Sequence, residues 1–167
     1  ATNAIGFCVL FTQVAVFTYV TFHLAAPPFN LSTFALAWLF IVYLFGAAVT
    51  PFAGGWSDRF GHLAALGGGT LIGMVGTALT LVPSLAAVAI GLAFVATGVF
   101  IGHATASSYI GRVTAADRGL AVGLYSTFYY LGGSAGGSLP ALLLHAGGWP
   151  ATVLLVMAVQ GSAFVLA

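Results

Sequence analysis

The chain has 167 residues, of which 61% are hydrophobic and 3% charged, with a formal net charge of +1; its mean hydropathy is +1.15. A soluble domain carries about a quarter of its residues as charged side chains, whereas this sequence has three Lys or Arg and two Asp or Glu. Those residues are Asp58, Arg59, Arg112, Asp117 and Arg118, too few to cover an exterior facing water, so the surrounding solvent is read as a lipid bilayer.

A hydrocarbon core about 30 Å thick is crossed by about 20 apolar residues in a helix. Breaking the chain at Pro, Gly and charge clusters predicts six such helices in one membrane domain covering residues 1–167: 5–25, 34–53, 63–82, 85–110, 119–144 and 149–167. The runs are continuously apolar, without the ten-residue alternation of a membrane β-barrel. The first holds Thr12, Gln13, Thr18, Tyr19, Thr21 and His23; Thr12, Tyr19 and His23 fall on one helical stripe. A connector with Pro27-Pro28 leads to the second run, which contains Pro51. Next comes the charged segment Gly54-Gly55-Trp56-Ser57-Asp58-Arg59-Phe60-Gly61-His62, then a third run that is nearly all aliphatic. After Pro83-Ser84 the fourth run carries Thr97, His103, Thr105, Ser107, Ser108 and Tyr109. The fifth carries Tyr125, Ser126, Thr127, Tyr129, Tyr130, Ser134 and Pro140, and after residues 145–148 the sixth is again aliphatic.

An even number of spans returns both termini to one side. The connectors holding Asp58, Arg59 and His62, and Arg112, Asp117 and Arg118, lie on that side, while the other three connectors contain no Lys or Arg. The positive-inside rule then puts both termini in the cytoplasm. Trp38 and Trp149 fall near the opposite membrane face, where amphipathic rings prefer the interface. The two triplets of runs point in opposite directions and each has a proline in its middle helix, Pro51 and Pro140. This pattern points to an inverted three-helix repeat, a transporter architecture. Both prolines are expected to kink their helices. The 23 glycines indicate close helix packing, notably the pairs Gly69 with Gly73, Gly98 with Gly102, Gly132 with Gly136, and Gly133 with Gly137.

Polar side chains in lipid are costly and should face protein or water. Gln13 and Tyr19 are the foremost substrate-lining candidates, joined by Thr12, Tyr129 and Tyr130. His103, the one ionisable group deep within a run, is a candidate proton relay because imidazole titrates near neutrality; a neutral, hydrogen-bonded structural role is the competing reading. No run contains a carboxylate. The scattered histidines and Cys8 lack metal-ligand spacing, so neither a metal nor a cofactor is expected, and Cys8 reads as a small buried hydrophobe. Gly132-Gly133-Ser134-Ala135-Gly136 matches an esterase pattern formally, but that motif needs a strand–turn–helix in a soluble sheet; no enzymatic activity is expected, and no nucleic-acid partner. The first run is long and lacks a basic leader, so no cleavable signal is predicted. A start without Met and an end inside an apolar run are read as marks of a fragment.

The segment Gly54–His62 resembles the G-x-L-S-D-R-x-G-R loop of the major facilitator superfamily, matching at Gly54, Ser57, Asp58, Arg59 and Gly61 and departing at His62 and Leu63. Leu24–Phe29, Arg118–Tyr125 and Phe128–Ser134 are similar to the C-terminal half of arabinose-efflux-like permeases of the YnfM type. The resemblance implies an all-α membrane fold, six helices as two inverted three-helix repeats, forming half of a twelve-helix transporter. It implies alternating-access transport of a small organic solute across the bacterial inner membrane by proton-coupled efflux. It also implies, as partner, a missing N-terminal six-helix half or a second copy. Gly54, Asp58, Arg59, Gly61, Arg112 and Arg118 would then form a conformational-switch loop, with Asp58 pairing Arg112 first and Arg118 second. An isolated, non-transporting membrane module is the alternative.

Overall fold

The computed structural model describes residues 2–113 and 117–167, together with all their side chains except those of residues 54, 112 and 113. The described residues form helices and short connectors, with no strand among them. In chain order the elements are α1 (Thr2–Ala25), α2 (Thr33–Leu39), a 3-10 turn (Phe40–Val42), α3 (Tyr43–Phe60), α4 (His62–Leu79), α5 (Leu85–Val113) and α6 (Arg118–Leu166). Five helical stretches are long and apolar enough to cross a membrane; α2, the 3-10 turn and most of α3 count as one of them. A helix is the only open-chain solution in lipid, because it satisfies its own backbone donors and acceptors.

Helix α6 contains 49 residues, which if straight would measure about 74 Å, more than twice the hydrocarbon thickness. It is not straight. Gly148 leaves helical geometry at φ 67°, ψ −161°, a conformation open essentially to glycine alone, and the chain reverses there. Residues 118–147 run alongside α1 in the same direction: Tyr125 lies against Gly6, Gly132 against Phe7 and Gly136 against Phe11, and the Tyr19 hydroxyl donates to Gly137 O at 2.6 Å. Beyond the break the chain returns. Trp149 stacks on His23 with centroids 5.3 Å apart, Gln160 reaches Gly73, and Phe164 reaches Gly67. The sequence places this turn across residues 145–148; the structure keeps 145–147 helical and turns at Gly148.

Helix α1 is the axis of the bundle. Phe11, Ala15, Val16, Val20 and Leu24 are buried in one core with Val88, Leu92, Val95 and Ala96 of α5 and Val153 and Val156 of α6. A second, smaller core, Ile5, Leu66, Ala106, Ile110 and Tyr125, closes the end of the bundle where α1 begins. Glycines set the helix spacing. A Cβ added to Gly76 would stand 2.5 Å from Gly91 O, and one added to Gly91 would stand 2.6 Å from Gly76 O. One added to Gly98 would collide with Gly69 O. Thus α4 and α5 touch backbone to backbone, the association small residues allow where lipid offers no hydrophobic drive.

One expectation is corrected. Helix α3 runs through residues 54–55 to Phe60, seven residues past the predicted end, so Gly54 and Gly55 are helical and the turn belongs to Gly61, at φ 88°, ψ 158°. The second helical run also contains a 3-10 turn at Phe40–Val42, ahead of Pro51, which lies inside α3. Trp149 is 4% exposed, and its indole N–H donates to Thr80 O at 3.1 Å and Thr80 Oγ1 at 3.2 Å. An indole buried so deeply keeps its donor satisfied, and here that bond pins α6 to the end of α4.

Candidate functional site

Four elements contribute polar side chains to one open face of the bundle. Gln13 of α1 lies where two recesses meet. One, of ≈ 430 Å³, is lined by Gln13, Phe17, Thr18, Phe40 and Tyr43 among others. The second, of ≈ 140 Å³, is lined by Gln13, Val99, Phe100, His103 and Tyr129. The Gln13 amide meets the Tyr43 hydroxyl. His103 of α5 lies with its ring centroid 4.7 Å from that of Tyr129. The Tyr125 hydroxyl stands 3.5 Å from His103 Nδ1, at the outer limit of a hydrogen bond. Tyr43 packs on Phe17 at 4.3 Å and edge-on to Phe100 at 6.2 Å. The result is a wall of aromatic rings carrying a few hydrogen-bonding groups, the usual lining of a small-molecule site. It presents amide, hydroxyl and imidazole groups beside aromatic faces.

The structure brings together Gln13, His103 and Tyr129 of the residues singled out in the sequence. Tyr130 adjoins them, its ring T-shaped to Tyr129 at 5.7 Å, but it is 68% exposed. Thr12 and Tyr19 face elsewhere. Tyr19 is buried and spends its hydroxyl on Gly137 O; Thr12 is 2% exposed and lines a separate groove with Gly69, Gly73 and Gln160. Tyr43 and Phe100 were not singled out, being read as ordinary members of apolar runs; a tyrosine within an apolar run is the signal that marks the first.

The charged residues gather at the bundle end where α1 begins, because α3 and α5 terminate there and α6 starts there. Gly61 turns the chain from α3 into α4, Ser57 Oγ and His62 Nδ1 hydrogen-bond at 2.8 Å, and the His62 ring packs on Tyr109 of α5 at 4.4 Å. His62 therefore ties three helices together. Asp58 and Arg59 are exposed, with the Arg59 guanidinium 5.4 Å from the Phe60 ring centroid. Arg118 begins α6, and its guanidinium lies near Gly111 in the last turn of α5, where a cation complements the helix C-terminus. The Arg112 side chain lies outside the described residues, as does the expected Asp58–Arg112 pairing.

A helical bundle with five membrane-capable helices, a polar-aromatic recess on one face and the described charged side chains at one end is a multi-pass membrane protein. The family model of the Major Facilitator Superfamily matches residues 3–167, and the chain belongs to that family. It is similar to an MFS-type transporter, YybF, of Bacillus subtilis, 34% identical over 91% of this chain and 38% of that protein. A transporter of Buchnera aphidicola from Schizaphis graminum is 32% identical over 78% of this chain and 32% of its own length. The inner membrane transport protein YnfM of Escherichia coli is 32% identical over 86% and 34%. The chain thus spans about a third of the length of each of these relatives.

Proposed function

We propose that this chain is one six-helix half, the C-terminal one, of a secondary transporter. It moves a small organic solute across the bacterial inner membrane by alternating access, in proton-coupled efflux. The observation that carries the reading is the convergence of Gln13, Tyr43, His103 and Tyr129 on two recesses that meet at Gln13 in a chain with only 3% charged residues. Their shape, aromatic walls with neutral hydrogen-bonding groups and no carboxylate, suits an uncharged or weakly basic solute. His103 is the group of this wall that can exchange a proton near neutral pH. The segment 54–62 with Arg112 and Arg118 serves as the cytoplasmic latch, closing and opening as the two halves rock. Membership of a transporter family and the YnfM printed name, an inner membrane transport protein, support the setting; the reversal at Gly148 and the placement of the charges support a reading of six crossings with both termini cytoplasmic.

The test is flux across everted membrane vesicles containing the protein expressed from its complete open reading frame. Solute accumulation should follow an imposed proton gradient and saturate. The double reversal Asp58→Arg with Arg112→Asp should recover transport lost in each single reversal. Gradient-independent or non-saturating flux would sink the transporter reading, and failure of the double reversal would sink the latch. The second reading, a module active only with a partner half or as a homodimer, draws on the chain's covering about a third of its relatives.

A further inference from the structure

An imidazole that exchanges a proton at one nitrogen needs the other nitrogen held, and the usual holder is a carboxylate or a backbone carbonyl. His103 has no carboxylate to serve it. The charged residues are Asp58, Arg59, Arg112, Asp117 and Arg118, all in the segments that end α3 and α5 or open α6. The side chains around the His103 ring are neutral. From α6 come Tyr129 and Tyr125, with ring centroids 4.7 Å and 6.3 Å away. From α1 comes Gln13, across the smaller recess, and Tyr43 of α3 meets that Gln13 amide in turn. Of these groups the Tyr125 hydroxyl is the one placed at Nδ1, 3.5 Å away.

That hydroxyl is held from three helices. Tyr125 is 5% exposed and packs among Ile5 of α1, Leu66 of α4, and Ala106 and Ile110 of α5. Its ring lies against the bare Cα of Gly6: a Cβ there would stand 2.5 Å from Cε2 and 3.0 Å from Cζ. Any side chain at position 6 would therefore push the phenol from its seat. Ser107, one turn along α5 from His103, meets the same hydroxyl, and the Tyr129 ring stacks on the Tyr125 ring at 5.9 Å. The phenol has one proton to give. Given to Nδ1, it leaves the imidazole hydrogen on Nε2; given to Ser107, it accepts a hydrogen carried on Nδ1. In either case Nδ1 is occupied and one tautomer is selected. We propose that Tyr125 is a positioning residue for His103, seated by the absence of a side chain at Gly6, which holds Nδ1 and turns Nε2 to the recess. What the held ring is for rests on the reading of His103 as the proton carrier of a transporter; the holding itself does not. The 3.5 Å separation suits such a role, since bonds to groups that move protons are often long in the unliganded state and tighten on binding.

The experiment is nitrogen-15 NMR of the protein expressed from its complete open reading frame, labelled at histidine, held in lipid nanodiscs and kept at a pH where His103 is neutral. The His103 signals are assigned by their loss in His103→Gln. In the parent protein the two ring nitrogens should give widely separated signals, one protonated and one bare, as a single tautomer requires. Tyr125→Phe keeps a ring on Gly6 and removes the hydroxyl, so both signals should move toward their common mean as the tautomers interconvert. Gly6→Ala, which keeps the hydroxyl and displaces the ring, should move them the same way. Tyr129→Phe, which removes a hydroxyl without touching Nδ1, should leave them apart. Averaged signals in the parent overturn the proposal without recourse to any variant. Separation that persists in Tyr125→Phe also overturns it, and so does averaging in Tyr129→Phe alone, which would pass the role to that residue. The NMR reads the ring whether or not solute moves. A single tautomer lost in Tyr125→Phe, in a protein without gradient-coupled flux, would uphold the positioning and sink the transport reading.

Discussion

At the scale of single residues, the recess tests how far one polar atom matters where water is scarce. Tyr130 is 68% exposed, and a phenol facing acyl chains would be left without a partner, whereas Leu142 and Leu154, 71% and 68% exposed, suit lipid. If Tyr130 borders a water-filled pathway, the variant Tyr130→Cys in a Cys8→Ala background should react with a membrane-impermeant maleimide. Leu142→Cys and Leu154→Cys should not, and labelling as fast at 154 as at 130 would remove Tyr130 from the pathway. His103 calls for a different readout. The substitution His103→Gln retains hydrogen bonding but cannot carry a proton, so solute binding, followed by tryptophan fluorescence, should change little. Gradient-driven flux should drop at least about tenfold, a lower value than the 10²–10⁴ that positioned proton transfer contributes elsewhere. Retained coupling would return His103 to a structural role beside Tyr125 and Tyr129.

At the scale of elements, much of the bundle was legible in the sequence. Apolar runs bounded by Pro, Gly and charge located the helices, because lipid punishes an unpaired backbone more than water does. The small-residue pairs marked real contacts: Gly98 meets Gly69, and Gly132 meets the Phe7 carbonyl. Less legible was which side of a helix a polar stripe faces. Thr12, Tyr19 and His23 share a face, but that face packs on α6, and their neighbour Gln13 reaches the recess instead. Periodicity defines a face without naming what covers it. Gln160 was overlooked inside an aliphatic run, although a lone amide there needs a polar reason to exist. The turn between α3 and α4 was likewise spread over three glycines when one suffices. Gly61, at φ 88°, ψ 158°, occupies a region that costs a residue with a side chain about 1–3 kcal/mol. Gly61→Ala should lower the melting midpoint, whereas Gly55→Ala, in regular helix with nothing within 4 Å of the added methyl, should leave it unchanged. Equal effects would mean that the loop glycines matter for something other than backbone geometry. The α1–α6 crossing gives a harsher case. In Gly136→Val the new Cβ would stand 2.5 Å from Phe11 O, and overpacking of about 1–3 kcal/mol should appear as reduced folded yield in membranes.

At the scale of the whole molecule, the uneven burial of the helices carries the argument. Of the apolar stretch in Thr33–Ala53 only 11% is buried, against 56% for α1. Phe34, Trp38, Ile41, Leu44, Phe45 and Phe52 all stand exposed along that stretch. The first arm of α6 is similarly bare at Leu120, Leu124, Leu131 and Leu139. Lipid could cover such surfaces equally well, but lipid does not account for the recess, whose polar groups lie on the face shared by α1, α3, α5 and α6. A wall with Gln13, Tyr43 and His103 on it needs water or a facing wall, and a match to only about a third of each relative's length leaves room for one in those relatives. Split expression separates the possibilities. This segment produced alone should insert in the membrane and catalyse no gradient-coupled flux, while co-expression with the remainder of the open reading frame should restore flux to a substantial fraction of the unsplit protein. Flux from the segment alone, accompanied by cross-linking of Trp38→Cys to its own counterpart in a second copy, would replace the two-half transporter by a homodimer. In that arrangement each recess would face its own image, and every substitution in Gln13 or His103 would act twice.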